Sequence, residues 1–544
     1  MGASRASVPK QQVNTDPPKD IDMEKIRLKH YPPGIPGEVD VHEFASLREV
    51  LQRSCERFAG RPAYDNMGAT MSYAKLDRSS RDFAAYLQKS LGLNKGDRVA
   101  LMMPNLLQYP AALFGVLRAG MVVVNVNPQY TAPELEHQLK DSGAAAIVVL
   151  ENFAHTLQEV LDRNPAGKLH VITTEVGDMF PLVKKVLTNV VVKYVKKLVP
   201  QWQIPGAIEF NEALRTGHAH RLDEVPLSQP DTAFLQYTGG ATGVAKGTVL
   251  THGNLVANLQ QLAAWIAHDL RDGKEILVCP LPLHHVYALT RNLVFMKIGA
   301  HNVLVTNPRD MHAFIHDLKR HPFTAIIGVN TLYRALLDAP GFAEVDTRSL
   351  KMTNAGGMAV QRIVAERWKK AAGVPIIESY GLTETSPGAI SNPLNIEDWT
   401  GTIGMPIPST HAAVLDEADN ELPIGEVGEI VVRGPQVMSG YWNRPDETAK
   451  VFTPQGWLRT GDMGCVDIGA PDEKSGEVVK FVVVKSDPAR IEQALLEHCR
   501  QHLTGYKMPK FVEFRSEPLP KTNLGKILRR QLRDESAATL SATT

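Results

Sequence analysis

Phe234-Leu-Gln-Tyr-Thr-Gly-Gly-Ala-Thr-Gly-Val-Ala-Lys-Gly-Thr248 sets a short apolar run against hydroxyls, glycines and one lysine. Glycine permits positive φ, so successive N–H groups can turn toward one anion. Thr238 and Thr242 add donors, and Lys246 adds a mobile positive charge. That composition suits a phosphate cradle. It is not the P-loop of the common NTPases, which needs Gly-Lys-Ser/Thr opening a helix, because Lys246 follows Ala245 and precedes Gly247. A plain glycine turn from a strand into a helix is the competing reading. Thr251-His-Gly-Asn254 follows directly and opens a helical run through Leu255, Leu259 and Leu262.

Working outward, Phe44, Leu47, Leu51 and Phe58 recur at near-helical spacing from Val41 to Phe58, and a second helical run covers Tyr73 to Leu91. Asp97–Met103 reads as a buried strand, Leu106–Ala119 as a helix and Met121–Val126 as another strand. Thr131-Ala-Pro-Glu134 is a capping box with proline in the first turn, and its helix leads to a strand at Ala145–Leu150. Beyond the glycine-rich stretch, strands are expected at Glu275–Val286, Ala325–Val329, Met352–Met358 and Val374–Thr385. Alternating strands and helices predict an α/β fold of parallel sheets flanked by helices. Gly401–Pro406, Gly425–Gly434 and Gly440–Asn443 read as short strands between turns, which predicts a smaller β-rich subdomain at about 400–467.

In parallel sheets, ligands bind beyond the carboxyl ends of the strands. Tyr380, Gly381, Thr383 and Glu384 belong to such an end, as do Gly356, Gly357 and Met358. A carboxylate beside phosphates suits Mg²⁺, which prefers oxygen ligands, although alone Glu384 reads equally as a surface acid. His284 and His285 are adjacent, and in a strand they face opposite ways and cannot chelate one metal together. Asp462, in Gly456-Trp-Leu-Arg-Thr-Gly-Asp462, is either a double hydrogen-bond acceptor for a ligand or a turn cap.

The 544 residues exceed what one core needs and suggest two or more domains, with 43% hydrophobic residues to fill them. Lys plus Arg and Asp plus Glu are each 59, so no global field draws the chain to nucleic acid or membrane. Four distant cysteines, Cys55, Cys279, Cys465 and Cys499, argue against a zinc site or disulfide framework and fit a reducing cytoplasm. Residues 1–24 are polar with prolines, read as a disordered lead-in without a secretory signal, and no apolar run is long enough to span a bilayer. From Met179 to Trp202, Lys184, Lys185, Lys193, Lys196 and Lys197 interleave with Leu182, Val186, Leu187, Val191, Val195 and Leu198. That pattern fits either an anionic membrane surface or a solvated face with an apolar underside.

The opening stretch resembles the signature Tyr-Thr-Ser/Gly-Gly-Thr-Thr-Gly-x-x-Lys-Gly of the adenylate-forming superfamily of acyl-CoA synthetases, with Ala241 where Thr is usual. Tyr380-Gly-Leu-Thr-Glu384, Gly456–Asp462 and the closing Leu519-Pro-Lys-Thr-Asn-Leu-Gly-Lys-Ile-Leu-Arg-Arg530 are similar to its other motifs, and the whole chain resembles bacterial long-chain fatty-acid:CoA ligases. The resemblance implies ATP, Mg²⁺ and coenzyme A as co-substrates and cofactor, with a fatty acid first joined to AMP and then passed to the thiol. It implies a nucleotide site at Thr238, Gly239, Gly240, Ala241, Thr242, Gly243 and Lys246, extended by Gly356, Gly357 and Met358. Ser379, Tyr380, Gly381 and Thr383 would meet adenine and the α-phosphate, Glu384 the Mg²⁺, and Asp462 the ribose. His284, His285 and Val286 would line the acyl end, and Lys526 would swing onto the carboxylate and α-phosphate; Lys526, Thr242, Glu384 and His285 are thus the catalytic candidates. His284 stands where the family has Tyr or Phe.

The family's hinge, an Asp-Arg-x-x-Asp run and the segment after it, is missing between Asp467 and Ile468. The expected organisation is therefore an AMP-binding domain at 25–467 and a truncated α+β lid at 468–544. Loss of the hinge implies weakened adenylation and weaker thioester formation, with an adenylate-only ligase or an impaired acyl- or nucleotide-binding protein as alternatives. Peripheral contact with the inner membrane and a homodimer complete the expectations.

Overall fold

The structure, a computed structural model, describes residues 31–163, 168–238 and 245–466, and the backbone of strands Lys480–Val484 and Phe511–Arg515. Among the described residues two large sheets dominate. One, of nine strands, runs Met405–Pro406, Gly388–Ser391, Ile376–Gly381, Met352–Gly356, Ala325–Gly328, Ile276–Cys279, His301–Leu304, Pro62–Asn66, Ala69–Ser72. The other, of eight, runs Gly440–Tyr441, Lys246–Thr251, Thr232–Thr238, Val122–Asn125, Arg98–Met102, Ala146–Leu150, His170–Thr174, Ile208–Glu209. Both interiors are parallel; the edges are antiparallel except at Ile208–Glu209, which runs parallel to His170–Thr174. This is the expected mixed α/β architecture.

Strand periodicity explains the layering. Leu277 and Cys279 join a central core shared by both sheets, whereas Val278 between them joins a second core with Phe314, Tyr333 and Trp368. Likewise Val99 and Leu101 face the central core, while Ala100 and Met102 face a third core with Leu135 and Leu157. Strands buried on both faces must be apolar throughout, which is why they read as continuous runs. The helices Leu47–Phe58, Tyr73–Lys89, Gln108–Arg118, His252–Ile266 and Val286–Lys297 contribute much of the central core.

Caps set the helix starts. Glu134 Oε2 accepts from the Thr131 N–H at 3.0 Å, and Asn254 and Thr251 exchange the corresponding bonds at 3.0 and 3.1 Å. The first helix begins at Leu47 rather than Val41, because Ser46 is its N-cap.

Three local expectations are corrected. The glycine-rich stretch does not lead from a strand into a helix: Thr232–Thr238 and Lys246–Thr251, the strands on either side of it, are an antiparallel pair with Thr238 opposite Lys246. The strand before the histidines ends at Cys279, since Pro280 and Pro282 offer no N–H to a ladder, and His284 and His285 lie in a turn. They do not point to opposite faces; their rings are 4.7 Å apart, inclined at 44°. Of the short late strands, His411–Leu415, Gly428–Arg433 and Leu458–Gly464 make a separate three-stranded sheet, while Met405–Pro406 and Gly440–Tyr441 are edges of the large sheets.

The lysine-rich segment is helical at Leu182–Val190 and continues as a π turn over Val191–Val195. Acidic residues elsewhere in the chain anchor it: Lys185 pairs with Asp178 at 2.8 Å and Lys193 with Glu151 at 2.9 Å. Among the described residues no helix is long and apolar enough to cross a membrane.

Candidate active site

Side chains from three sheets meet at one place. From the nine-stranded sheet comes the carboxyl end of Ile376–Gly381, followed by a 3₁₀ turn at Thr383–Thr385. Gly381 has to be glycine, because a Cβ there would overlap the Pro387 carbonyl oxygen. The Tyr380 hydroxyl donates to Asp462 Oδ2 at 2.8 Å, joining this strand to the three-stranded sheet. Burial, and to a lesser extent the Asp462 carboxylate, raises the Tyr380 phenol's pKa, so it stays a neutral donor.

Glu384 is partly exposed in the 3₁₀ turn, and its Oε1 accepts the Tyr441 hydroxyl at 2.8 Å. Its other oxygen has no hydrogen-bond partner among the described residues. Tyr441 belongs to the strand that pairs with Lys246–Thr251, and Lys246 stands over its ring, 5.2 Å from the centroid. Lys246 also pairs with Glu447, whose carboxyl is held down at about 2 chiefly by Lys246 and then by Lys450. A phosphate approaching Lys246 therefore competes with Glu447. Thr238 is partly exposed at the end of its strand. Gly239, Gly240, Ala241, Thr242 and Gly243, with Lys526 and the proposed hinge junction, lie outside the described residues.

On the neighbouring strand, Gly356 lies against Tyr287 and Ser379, Gly357 takes φ 80°, and Met358 is exposed. His285 is the N-cap of the Val286–Lys297 helix; the residue is exposed, with protein packed closely around it. His284 and Val286 are buried. Burial lowers the pKa of both histidines, and His285 lowers that of His284 further, so both rings are neutral at pH 7. His284 Nδ1 is buried without a partner among the described residues.

The residues 51–442 match the AMP-binding enzyme family and 464–526 match the AMP-binding enzyme C-terminal domain. The chain belongs to the AMP-binding enzyme family. It is 49% identical over 557 residues to a long-chain-fatty-acid–CoA ligase of Escherichia coli O157:H7, covering 94% of this chain and 99% of that one. It is 46% identical over 562 residues to one of Haemophilus influenzae, covering 95% and 99%. These matched lengths exceed the 544 residues here, so the relatives hold residues that this chain lacks. The fold is shared with an anthranilate CoA ligase solved with anthranoyl-AMP (TM-score 0.69, 22% identity, 93% and 100% covered). It is shared also with a long-chain-fatty-acid-CoA ligase of Archaeoglobus fulgidus (0.66, 22%, 89% and 99%).

In this AMP-binding enzyme several positioning residues escape sequence reading. Asn105 clamps the histidine turn: its Nδ2 donates to the Cys279 and Leu281 carbonyls at 3.1 and 2.9 Å, and its Oδ1 accepts from the Leu283 N–H at 2.8 Å. Gln236, one residue before Tyr237, donates to the His284 carbonyl at 2.6 Å and accepts from Asn125 at 2.9 Å. Asp141 braces the strand pair, accepting from Tyr237 at 2.7 Å and Arg444 at 2.9 Å. Polar residues inside apolar runs, Asn105, Asn125 and Gln236, were the available signal.

Proposed function

We propose that this chain activates a long-chain fatty acid with ATP and passes the acyl group to coenzyme A. The observation that carries the reading is the meeting of Tyr380 with Asp462, and of Glu384 with Tyr441 beside Lys246, in a chain 49% identical to proteins named long-chain-fatty-acid–CoA ligases. A carboxylate oxygen of the acid attacks the ATP α-phosphorus as the bond to pyrophosphate breaks, giving acyl-AMP. The thiol of coenzyme A then attacks the acyl carbon and AMP leaves. The chain's own part is positioning and charge stabilisation. Thr238, Lys246 and the loop 239–243 hold phosphate oxygens, Tyr380 with Ser379, Gly381 and the Gly356–Met358 turn receives the adenine, and Asp462 accepts from the ribose. Thr383 reaches the α-phosphate, His285 with His284 and Val286 shapes the carboxylate end, and Lys526 orients it.

Glu384 fits Mg²⁺: it is an oxygen donor with one oxygen unpartnered among the described residues, and this ion takes one or two carboxylates and keeps its waters and phosphates. Bound there, it would offset phosphate charge. Pyrophosphate release from palmitate, ATP and Mg²⁺, and acyl-CoA formation when coenzyme A is added, test the reading. No product with or without coenzyme A would refute it, and pyrophosphate without acyl-CoA would show a ligase that stops at the adenylate.

The Leu182–Leu198 segment supports peripheral binding to the cytoplasmic face of the membrane. Leu182 and Val183 are 76% and 82% exposed, and Val186, Leu187, Tyr194, Val195 and Leu198 lie open beside Lys184, Lys196 and Lys197. Exposed apolar side chains next to lysines match an interface with anionic lipid. Flotation with anionic liposomes should fall on Lys196→Glu with Lys197→Glu and on Leu182→Ser with Val183→Ser; equal flotation ends the idea. A homodimer is the remaining expectation, which sedimentation velocity decides.

A further inference from the structure

Tyr287 and Arg291 are one turn apart on the Val286–Lys297 helix, and both reach the carboxyl ends of the neighbouring strands. The Tyr287 hydroxyl donates to Asn354 Oδ1 at 2.8 Å, and Arg291 donates to Ser379 Oγ at 3.2 Å. Arg291 is only 4% exposed, yet that bond to a neutral hydroxyl is its only hydrogen bond among the described residues, and no carboxylate pairs with it. Ser379 Oγ is itself fully engaged, taking the Asn354 amide at 2.9 Å and lying 2.7 Å from Ser391 Oγ. Most of a five-donor fork is therefore unused. A buried cation without a counter-charge is costly, and among side chains the guanidinium is the one shaped for two-pronged bonding to a carboxylate.

The site is not sealed. Tyr287 is partly exposed, so open space borders the cluster on its side. His285 caps the same helix six residues earlier, about 9 Å along the axis at ~1.5 Å per residue. We propose that Arg291 binds a second carboxylate on the acyl substrate, so that this enzyme prefers an acid carrying another acid group on the order of 9 Å from the reacting one. The inference rests on the reading that places the reacting carboxylate at His285. A plain alkyl chain passing Arg291 would leave its charge buried and unpaired, whereas a carboxylate satisfies it.

The test compares decanedioic acid, decanoic acid and palmitate in pyrophosphate release, and in calorimetric binding, with the full-length wild type, Arg291→Leu and Arg291→Lys. Wild type should favour decanedioic over decanoic acid about ten- to a hundredfold, mainly through KM, as expected for a charged hydrogen bond. Arg291→Leu should erase that ratio and Arg291→Lys should keep part of it, with the melting temperature reporting the fold of each. Equal use of the two acids by wild type, an unchanged ratio in Arg291→Leu, or a loss confined to ATP affinity would overturn the proposal. If wild type turns over none of the three acids, the ligase reading fails, and the binding ratio still decides whether Arg291 recognises the second carboxylate.

Discussion

Replacing Asn105 by leucine tests whether the histidine turn is held by one side chain. Leucine keeps the branched shape and the heavy-atom count, with bulkier methyls in place of the amide, and removes all three hydrogen bonds. The Cys279 carbonyl retains the Val305 N–H at 3.1 Å, but the Leu283 N–H and the Leu281 carbonyl lose their principal partner. Two bonds at about 1 kcal/mol each, raised by burying groups left unsatisfied, place the loss at about 2–5 kcal/mol. The turn can relieve part of this by shifting, and that shift carries His284 and His285 with it. Urea titration followed by tryptophan fluorescence should show the reduced stability, and the KM for palmitate should rise while the KM for ATP changes less. A variant within 0.5 kcal/mol of wild type, about the effect of a neutral surface change, and with unchanged KM for both substrates would refute the clamp.

Burial lowers the pKa of His252 from 6.5 to about 4, and its Nδ1 accepts the Leu47 N–H at 3.2 Å, a bond only the neutral ring can make. Between those pH values the unfolded chain binds a proton that the folded chain does not. Stability should therefore fall as pH drops from 6.5 through 4, by about 3 kcal/mol from this residue, and level off below. His252→Gln should flatten the pH dependence of the urea midpoint relative to wild type; parallel curves would exclude the assignment. Glu384→Gln keeps an acceptor for Tyr441 but removes the charge, so pyrophosphate release should fall roughly a hundredfold or more with a raised Mg²⁺ requirement and an unaltered melting temperature. Unchanged Mg²⁺ dependence would place the metal elsewhere.

Much of the fold was legible because secondary structure follows local period. Doubly buried strands such as Arg98–Met102 and Val122–Asn125 stood out as apolar runs, and the boxes at Thr131 and Thr251 marked helix starts. The errors had local causes too. Prolines ended the strand before His284, and the residues after the glycines form a strand, not a helix, because Lys246–Thr251 found partners on both of its sides.

By itself, the sequence determined the alternation of strands and helices, the family, and the motifs that bear hydroxyls, carboxylates and lysine. Only the tertiary structure decided which of them meet. Tyr380 and Asp462 are 82 residues apart, Glu384 and Tyr441 57, and Lys246 and Glu447 201. Such bonds depend on how three sheets pack against one another, which no local period encodes. The same holds for Asn105 and Arg291: the meaning of each appears only when its neighbours across the core are known.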